Sequence, residues 1–197
     1  MWMECVDSTN SELRRRIDTL DNLSVVAAYE QTSGRGQGTH TWFSSPHTNL
    51  MFSMFFKFTE GTGILLDVKD MLLVTEIITL GIRDYLASKG ILSRIKWPND
   101  IWVADKKICG ILIENILDHE RITNSIVGVG LDVNEQFWPN DLPNPVSMKQ
   151  LTGKTYVLED ELSRLTAHIA SRYDEMRTQE GRERLDYEFR ENMFRLP

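Results

Sequence analysis

Apolar residues recur along this chain with two spacings, and the changes from one to the other divide it into elements. In "STNSELRRRIDTL", Leu13, Ile17 and Leu20 share one helical face, which predicts a first helix. Thr9 and Glu12 stand at capping-box spacing at its start. "LSVVAAYE" reads as a buried strand. "NLMFSMFFKF" is apolar at both parities, which predicts a central strand covered on each side. Between Met71 and Lys89, Leu73, Ile77 and Leu80 fall at helical spacing, and Gly90 is placed to end that helix. From Ser93 to Asn134, strand-like runs broken by "ADKK" and "DHER" predict an antiparallel meander. A proline-rich loop, "WPNDLPNPVS", leads to a final helix carrying Leu162, Leu165, Ile169, Tyr173 and Met176 at three- and four-residue intervals. Helices and strands mix without regular βαβ alternation. The fold class expected is therefore α+β (mixed α/β), a mixed sheet flanked by helices, and not a Rossmann fold.

Composition narrows the function classes. The 197 residues are 41% apolar and 26% charged, as one domain with a real core requires. A formal net charge of −7 lacks the footprint of a general nucleic-acid binder. No apolar run approaches the roughly 20 residues that span a bilayer. "MWMECVDSTN" lacks the basic-then-apolar order of a secretory signal. Cys5 and Cys109 are far apart and without metal-ligand spacing, the pattern of a reduced, cytoplasmic protein. There is no internal repeat.

Five short stretches stand out. "EQTSGRGQGTHTW", Glu30 to Trp42, is neither GxGxxG nor a Walker loop. Its glycines let backbone amides converge on an anion, with Arg35 adding a charge-assisted contact, but they equally make a simple turn. In "KWPNDIW", Pro98 restricts Trp97, so that Lys96 and Asn99 project from a fixed turn. A plain turn explains the proline, asparagine and aspartate, but not the lysine and two tryptophans. "KKICGILIEN" sets Lys107 before a strand interrupted by Gly110. That is either close approach of a ligand or a lysine on a hairpin with a bulge. In "GVGLDVN", Gly128 and Gly130 bare one strand face, for a flat ring or for a crossing. "DSTN" is a good helix start whose hydroxyl and amide groups can also meet a polar ligand.

In this order, "DSTN", "EQTSGRGQG", the tryptophan, "KWPND", "KKICGIL" and "GVGLDVN" resemble the catalytic domain of biotin–protein ligases, from about Val6 to Asn134 in motifs and through the final helix in layout. The resemblance implies a fold related to class II aminoacyl-tRNA synthetases and lipoate ligases. It implies an enzyme that uses ATP and Mg²⁺ to make biotinyl-5'-AMP and transfers biotin to a lysine of a biotin carboxyl carrier domain. Carried over residue by residue, it places Ser8, Thr9, Asn10, Gln31, Gly34, Arg35, Gly36, Gln37, Lys107, Gly110 and Gly128 at biotin. Arg35, Gln37, Trp42, Lys96, Asn99, Lys107 and Asp132 fall at the nucleotide. Lys107, Arg35, Asp100 and Lys96 become the catalytic set, with Asp100 the candidate metal ligand.

The chain departs from the family in three places. Gln37 stands where many members have arginine, which removes one positive charge. Asp132 stands where asparagine is usual; it can accept from an adenine amino group, but as a carboxylate it cannot donate to a ring nitrogen. The chain also ends about where the family's small C-terminal β domain begins. The layout expected is a catalytic domain over 1–185, a connector over 186–197, and no N-terminal DNA-binding domain, hence no DNA partner and no membrane. A homodimer fits the family, and an exposed sheet edge could instead pair with the carrier domain. Two rivals stay open: a lipoate or octanoate ligase of the same superfamily, and a non-catalytic biotin or adenylate regulator.

Overall fold

Strand β3 (Leu50–Lys57) is buried at every position from Leu50 to Phe56, so it must lie between two covered faces. A computed structural model, described for residues 1–194, places it at the centre of an eight-stranded sheet. The other strands are β1 (Trp2–Val6), β2 (Val25–Gln31), β4 (Leu66–Asp67), β5 (Arg94–Lys96), β6 (Asp100–Val103), β7 (Lys106–Asp118) and β8 (Arg121–Leu131). The order is β1-β2-β3-β8-β7-β6-β5, with β4 also against β8. β1 and β2 run parallel and the remaining pairs antiparallel, so the sheet is mixed as expected. The meander is β5 to β8. Its tight turns at Ala104 and His119 both have left-handed backbone, with φ of 52° and 54°.

Alternation along the strands assigns the two faces. Leu50, Phe52, Met54 and Phe56 of β3, with Val127, Val129 and Leu131 of β8, form the main core. It is covered by α2 (Leu72–Ser88), α4 (Leu158–Glu175) and α5 (Gln179–Glu191), while the short α3 (Met148–Thr152) contributes Met148. On the opposite face, Val26, Phe55 and Ile126 meet Leu13 of α1 (Thr9–Arg15). The rest of that face is left for the cavity described below.

Gly81 of α2 lies against α4 so closely that an added Cβ would sit 2.8 Å from the Ile169 Cα. Backbone cannot step aside as a side-chain tip can. Gly81→Val is therefore expected to cost about 3 kcal/mol by overpacking, read as a lower midpoint in urea unfolding.

Several elements differ from the sequence reading. The first helix ends at Arg15, and a 3-10 turn over Ile17–Thr19 replaces its expected last turn. Its N-cap is Ser8, not Thr9, and no capping box forms: Glu12 is engaged by Arg15 and Arg16 instead. α4 is not the last helix. α5 follows, capped by the Thr178 hydroxyl accepting from the Gly181 N–H. The expected connector from residue 186 begins inside α5, whose Phe189 is buried in the core, and Met193 bridges to Ile95 on the β5 edge. The remainder of that connector, residues 195–197, lies outside the described residues. No described helix is long and apolar enough to cross a membrane.

Candidate active site

The sheet face beside α1 is nearly bare, and register explains why. Cross-strand pairing sets Gly128 between Ser53 and Leu112, and Gly130 between Met51 and Gly110, with Asp100 beyond Gly110. Three glycines in neighbouring positions make a shallow floor. Two side chains already lie on it. A Cβ on Gly130 would overlap the Trp42 indole, and one on Gly110 would come within 2.8 Å of it; a Cβ on Gly128 would overlap the Asn10 amide. Trp42 Nε1 is buried without a hydrogen-bond partner.

A cavity of about 330 Å³ opens over this floor. Of the residues singled out in the sequence, it is lined by Ser8, Thr9, Asn10, Gln31, Arg35, Gly36, Gln37, Trp42, Asn99, Asp100, Lys107, Gly110 and Gly128. Five separate segments of the chain thus converge. Three expected residues do not line it. Gly34 faces the Trp42 carbonyl, which leaves no room for a side chain. Lys96 pairs with Asp100 across the β5–β6 hairpin, but its ammonium lies over the Trp102 ring, 3.8 Å from the centroid. Asp132 is buried at the end of β8 with Oδ1 unpaired.

Lys107 reaches the cavity because of an irregularity in its strand. It and Gly110 are three apart, so plain alternation would send them to opposite faces. The register instead shifts between Ile101 and Trp102: Ile101 opposes Cys109 while Trp102 opposes Lys107. Ile108 is left as the extra residue of a bulge, and Lys107 turns to the glycine side. There Nζ is 2.8 Å from Asp100 Oδ1 and 5.6 Å from the centre of the Trp42 ring. The stretch is thus a hairpin with a bulge, and that bulge is what brings Lys107 to the cavity beside Gly110.

The glycine loop is folded back on itself. Arg35 bridges Thr41, Gly36 N–H donates to the His40 carbonyl at 2.7 Å, and Trp42 N–H to the Gly34 carbonyl at 3.1 Å. The Arg35 guanidinium donates to both carboxylate oxygens of Glu114 at 3.2 Å. Both cations at the cavity are thus matched to protein carboxylates. Asn99, in the turn after the cis Trp97–Pro98 bond, accepts from the Ile111 N–H with its own carbonyl, and its amide donates to the Ile111 carbonyl.

At the α1 end, the Thr9 N–H donates to Gln31 Oε1 at 2.8 Å, and the Ser53 hydroxyl lies 2.7 Å from Thr9 Oγ1 and 2.5 Å from Asn10 Oδ1. Thr9 is free for this network because Ser8 takes the capping position. Ser53 and Glu114 were not found in the sequence. A serine inside a fully apolar strand is a usable signal, since a buried hydroxyl needs a partner; Glu114 gave none. Pro98 and Gly130, both marked in the sequence, also line the cavity, as do His40, Thr41, Ile111, Leu112 and Val129.

Burial, with Glu135 nearby, pushes the Asp132 carboxyl well above its ordinary 3.8, against the opposing pull of Lys107. Above that ordinary value the unfolded chain releases a proton that the folded chain keeps. Stability must therefore fall as pH rises from 3.8 toward the folded-state value, by up to about 1.4 kcal/mol per pH unit. Asp132→Asn should remove this contribution and leave the slope of the same sign from Glu76, whose carboxyl burial raises to about 7; urea midpoints at pH 5 and pH 7 in variant and wild type measure the difference.

The chain matches the biotin/lipoate A/B protein ligase family over residues 2–132. It is similar to the bifunctional ligase/repressor BirA of Bacillus subtilis, 32% identical over 136 residues that cover 66% of this chain and 40% of that protein. The chain spans about two fifths of the length of the curated relatives it matches first. Among solved structures it is similar to a Leishmania major biotin protein ligase in complex with biotin, at TM-score 0.77 and 25% identity, covering 100% of this chain and 84% of that one. A biotin protein ligase from Aquifex aeolicus, in complex with biotin and ATP, has the same fold at TM-score 0.80 and 24% identity, covering 100% of this chain and 78% of that one.

Proposed function

The chain belongs to the biotin/lipoate A/B protein ligase family, and from that premise we propose that it is an ATP-dependent ligase activating biotin as biotinyl-5'-AMP for transfer to a lysine of a biotin carboxyl carrier domain. The observation that carries this reading is the convergence of Lys107, Arg35 and a glycine-bared sheet face in one cavity.

A carboxylate is a poor acyl donor and must first gain a leaving group. A biotin carboxylate oxygen attacks the α-phosphorus of ATP, the bond to the departing β-phosphate oxygen breaks, and pyrophosphate leaves. Charge accumulates on the phosphoryl oxygens, where fixed cations act most strongly. Lys107 supplies one, on a strand and therefore rigid. Arg35 supplies the other, on a loop that can close. Each leaves a protein carboxylate, Asp100 or Glu114, to meet the substrate's anions, or shares its remaining donors with them. The loop then shields the mixed anhydride from water. In the second step the acceptor lysine's neutral amine attacks the anhydride carbonyl carbon, the bond from that carbon to the phosphate oxygen breaks, and AMP departs, the amine's surplus proton passing to the departing phosphate or to solvent. Asp100 serves to orient that lysine, because an adjacent carboxylate raises an amine's pKa.

Among the described residues, no group of three or more His, Cys, Asp or Glu could hold a metal. An Mg²⁺ held chiefly by phosphates and water needs only one or two protein carboxylates. Asp100 is the acid lining the cavity and fits that limited role; such an ion would neutralise phosphate charge. Cys5 is exposed and Cys109 buried, both unpaired, in keeping with a reducing cytoplasm.

Biotin-dependent ATP–pyrophosphate exchange tests the proposal. Exchange with biotin and none with lipoate is the expected result. Binding without exchange would make the protein a sensor, and exchange with lipoate alone would move it to the sister activity.

A further inference from the structure

Glu114 lies on β7 four residues beyond Gly110, outside the cavity lining, and the proposed chemistry uses it only as the carboxylate that Arg35 pairs with. Yet it touches both walls. Its Oε2 accepts from Asn10 Nδ2 at 2.9 Å, and its two oxygens accept the Arg35 guanidinium at 3.2 Å each. Arg14 stands further off, at 3.7 Å.

Proton counting shows how tightly the Asn10 end is specified. Asn10 Oδ1 can only accept, so the proton of the fully buried Ser53 hydroxyl is committed to it. Thr9, 2.7 Å from Ser53 Oγ, is left to donate to Ser53 or to Gln31 Oε1 at 3.2 Å. The Asn10 NH₂ group faces Glu114 and, more distantly, the Leu112 carbonyl. A hydroxyl on one side and a carboxylate on the other fix the amide in one orientation, in space that Gly128 leaves empty. A hydrogen-bonded chain therefore runs Gln31–Thr9–Ser53–Asn10–Glu114–Arg35, from the strand end to the glycine loop.

We propose that Glu114 is a positioning residue that anchors the glycine loop through Arg35 and at the same time orients the Asn10 amide, so that one carboxylate organises both ends of the cavity. This rests on reading the cavity as an acyl-adenylate site, but the hold on the loop can be measured without substrate. Glutamine at 114 keeps one acceptor and loses the charge and the second acceptor; alanine loses everything.

Hydrogen exchange of the empty protein, followed by mass spectrometry, should show peptides over 32–42 exchanging about tenfold faster in Glu114→Ala, as expected for loss of a charge-assisted pair. Glu114→Gln should fall between alanine and wild type. Peptides of α2 and α4 should be unchanged in both, which shows that the fold is intact. Loop exchange equal to wild type in both variants overturns the proposal, as does an acceleration spread evenly over the whole chain. A second readout is biotin transfer to a bystander protein in the presence of biotin and ATP, which reports escape of the intermediate. Arg35→Ala and Glu114→Ala should each raise it, and the double variant should exceed neither; additive increases would make the two residues independent and overturn the proposal. Faster loop exchange in Glu114→Ala, with a wild type inert toward biotin and ATP, would retain the anchor while removing the proposed activity.

Discussion

Lys107→Ala is expected to lower biotin-dependent ATP–pyrophosphate exchange by about a hundredfold or more while leaving the protein folded. Removing one preorganised donor from a developing oxyanion costs on the order of 3 kcal/mol, which corresponds to that factor. Stability should hardly change. The side chain is one-third exposed and its partner is a part-exposed carboxylate, a kind of pair worth about 1 kcal/mol or less. The backbone around it is secured separately, through Lys107 N–H to the Asn144 carbonyl and Val146 N–H to the Lys107 carbonyl. Lys107→Arg should restore little, because a planar fork does not reproduce a compact ammonium at one point. Exchange at the wild-type rate in the alanine variant would remove Lys107 from the chemistry.

Gly130→Val is expected to abolish ligand binding without unfolding the sheet. The three nearest neighbours of a Cβ at this position all belong to the Trp42 ring, so the conflict is with one loop side chain and not with the core. Valine suits a strand interior. The indole must leave the floor, and the loop that carries it must follow. A displacement of about 1 Å in a positioned site can cost a hundredfold; here a whole ring is displaced and the floor itself is raised. Calorimetry with biotin should show no binding, and tryptophan emission should shift to the red as Trp42 enters water. Tight binding with unshifted emission would mean that the bare face is only a crossing position, one of the two readings the sequence left open.

The two readings differ in what periodicity can report. Spacing of apolar residues revealed β3, α2 and the β5–β8 meander, because those elements bury one or both faces against the core. It did not reveal α5, where Leu185 and Phe189 with Gly181 are the buried residues among charged ones, nor β1, a partly exposed edge strand. Within the site, the glycines, Lys107, Arg35 and Trp42 were legible as motif residues. Glu114 and Ser53 were not, since alternation places a residue on a face but says nothing of its partner across the sheet. The capping box at Thr9 failed for a related reason: its hydroxyl had a better use toward Gln31 and Ser53, a competition that local spacing cannot register.

The bulge at Ile108 gives this site an unusual vulnerability. Substitutions at Ile108 that keep its volume leave the residue count of β7 intact, and with it the side to which Lys107 turns. Gaining a single codon between Lys107 and Ile108, with the bulge kept, would hand the glycine-side position to the new residue and turn the ammonium to the opposite face of the sheet, with the glycine floor untouched. The positive charge of the cavity is thus stored in chain length as much as in residue identity. In this strand, counting matters more than chemistry.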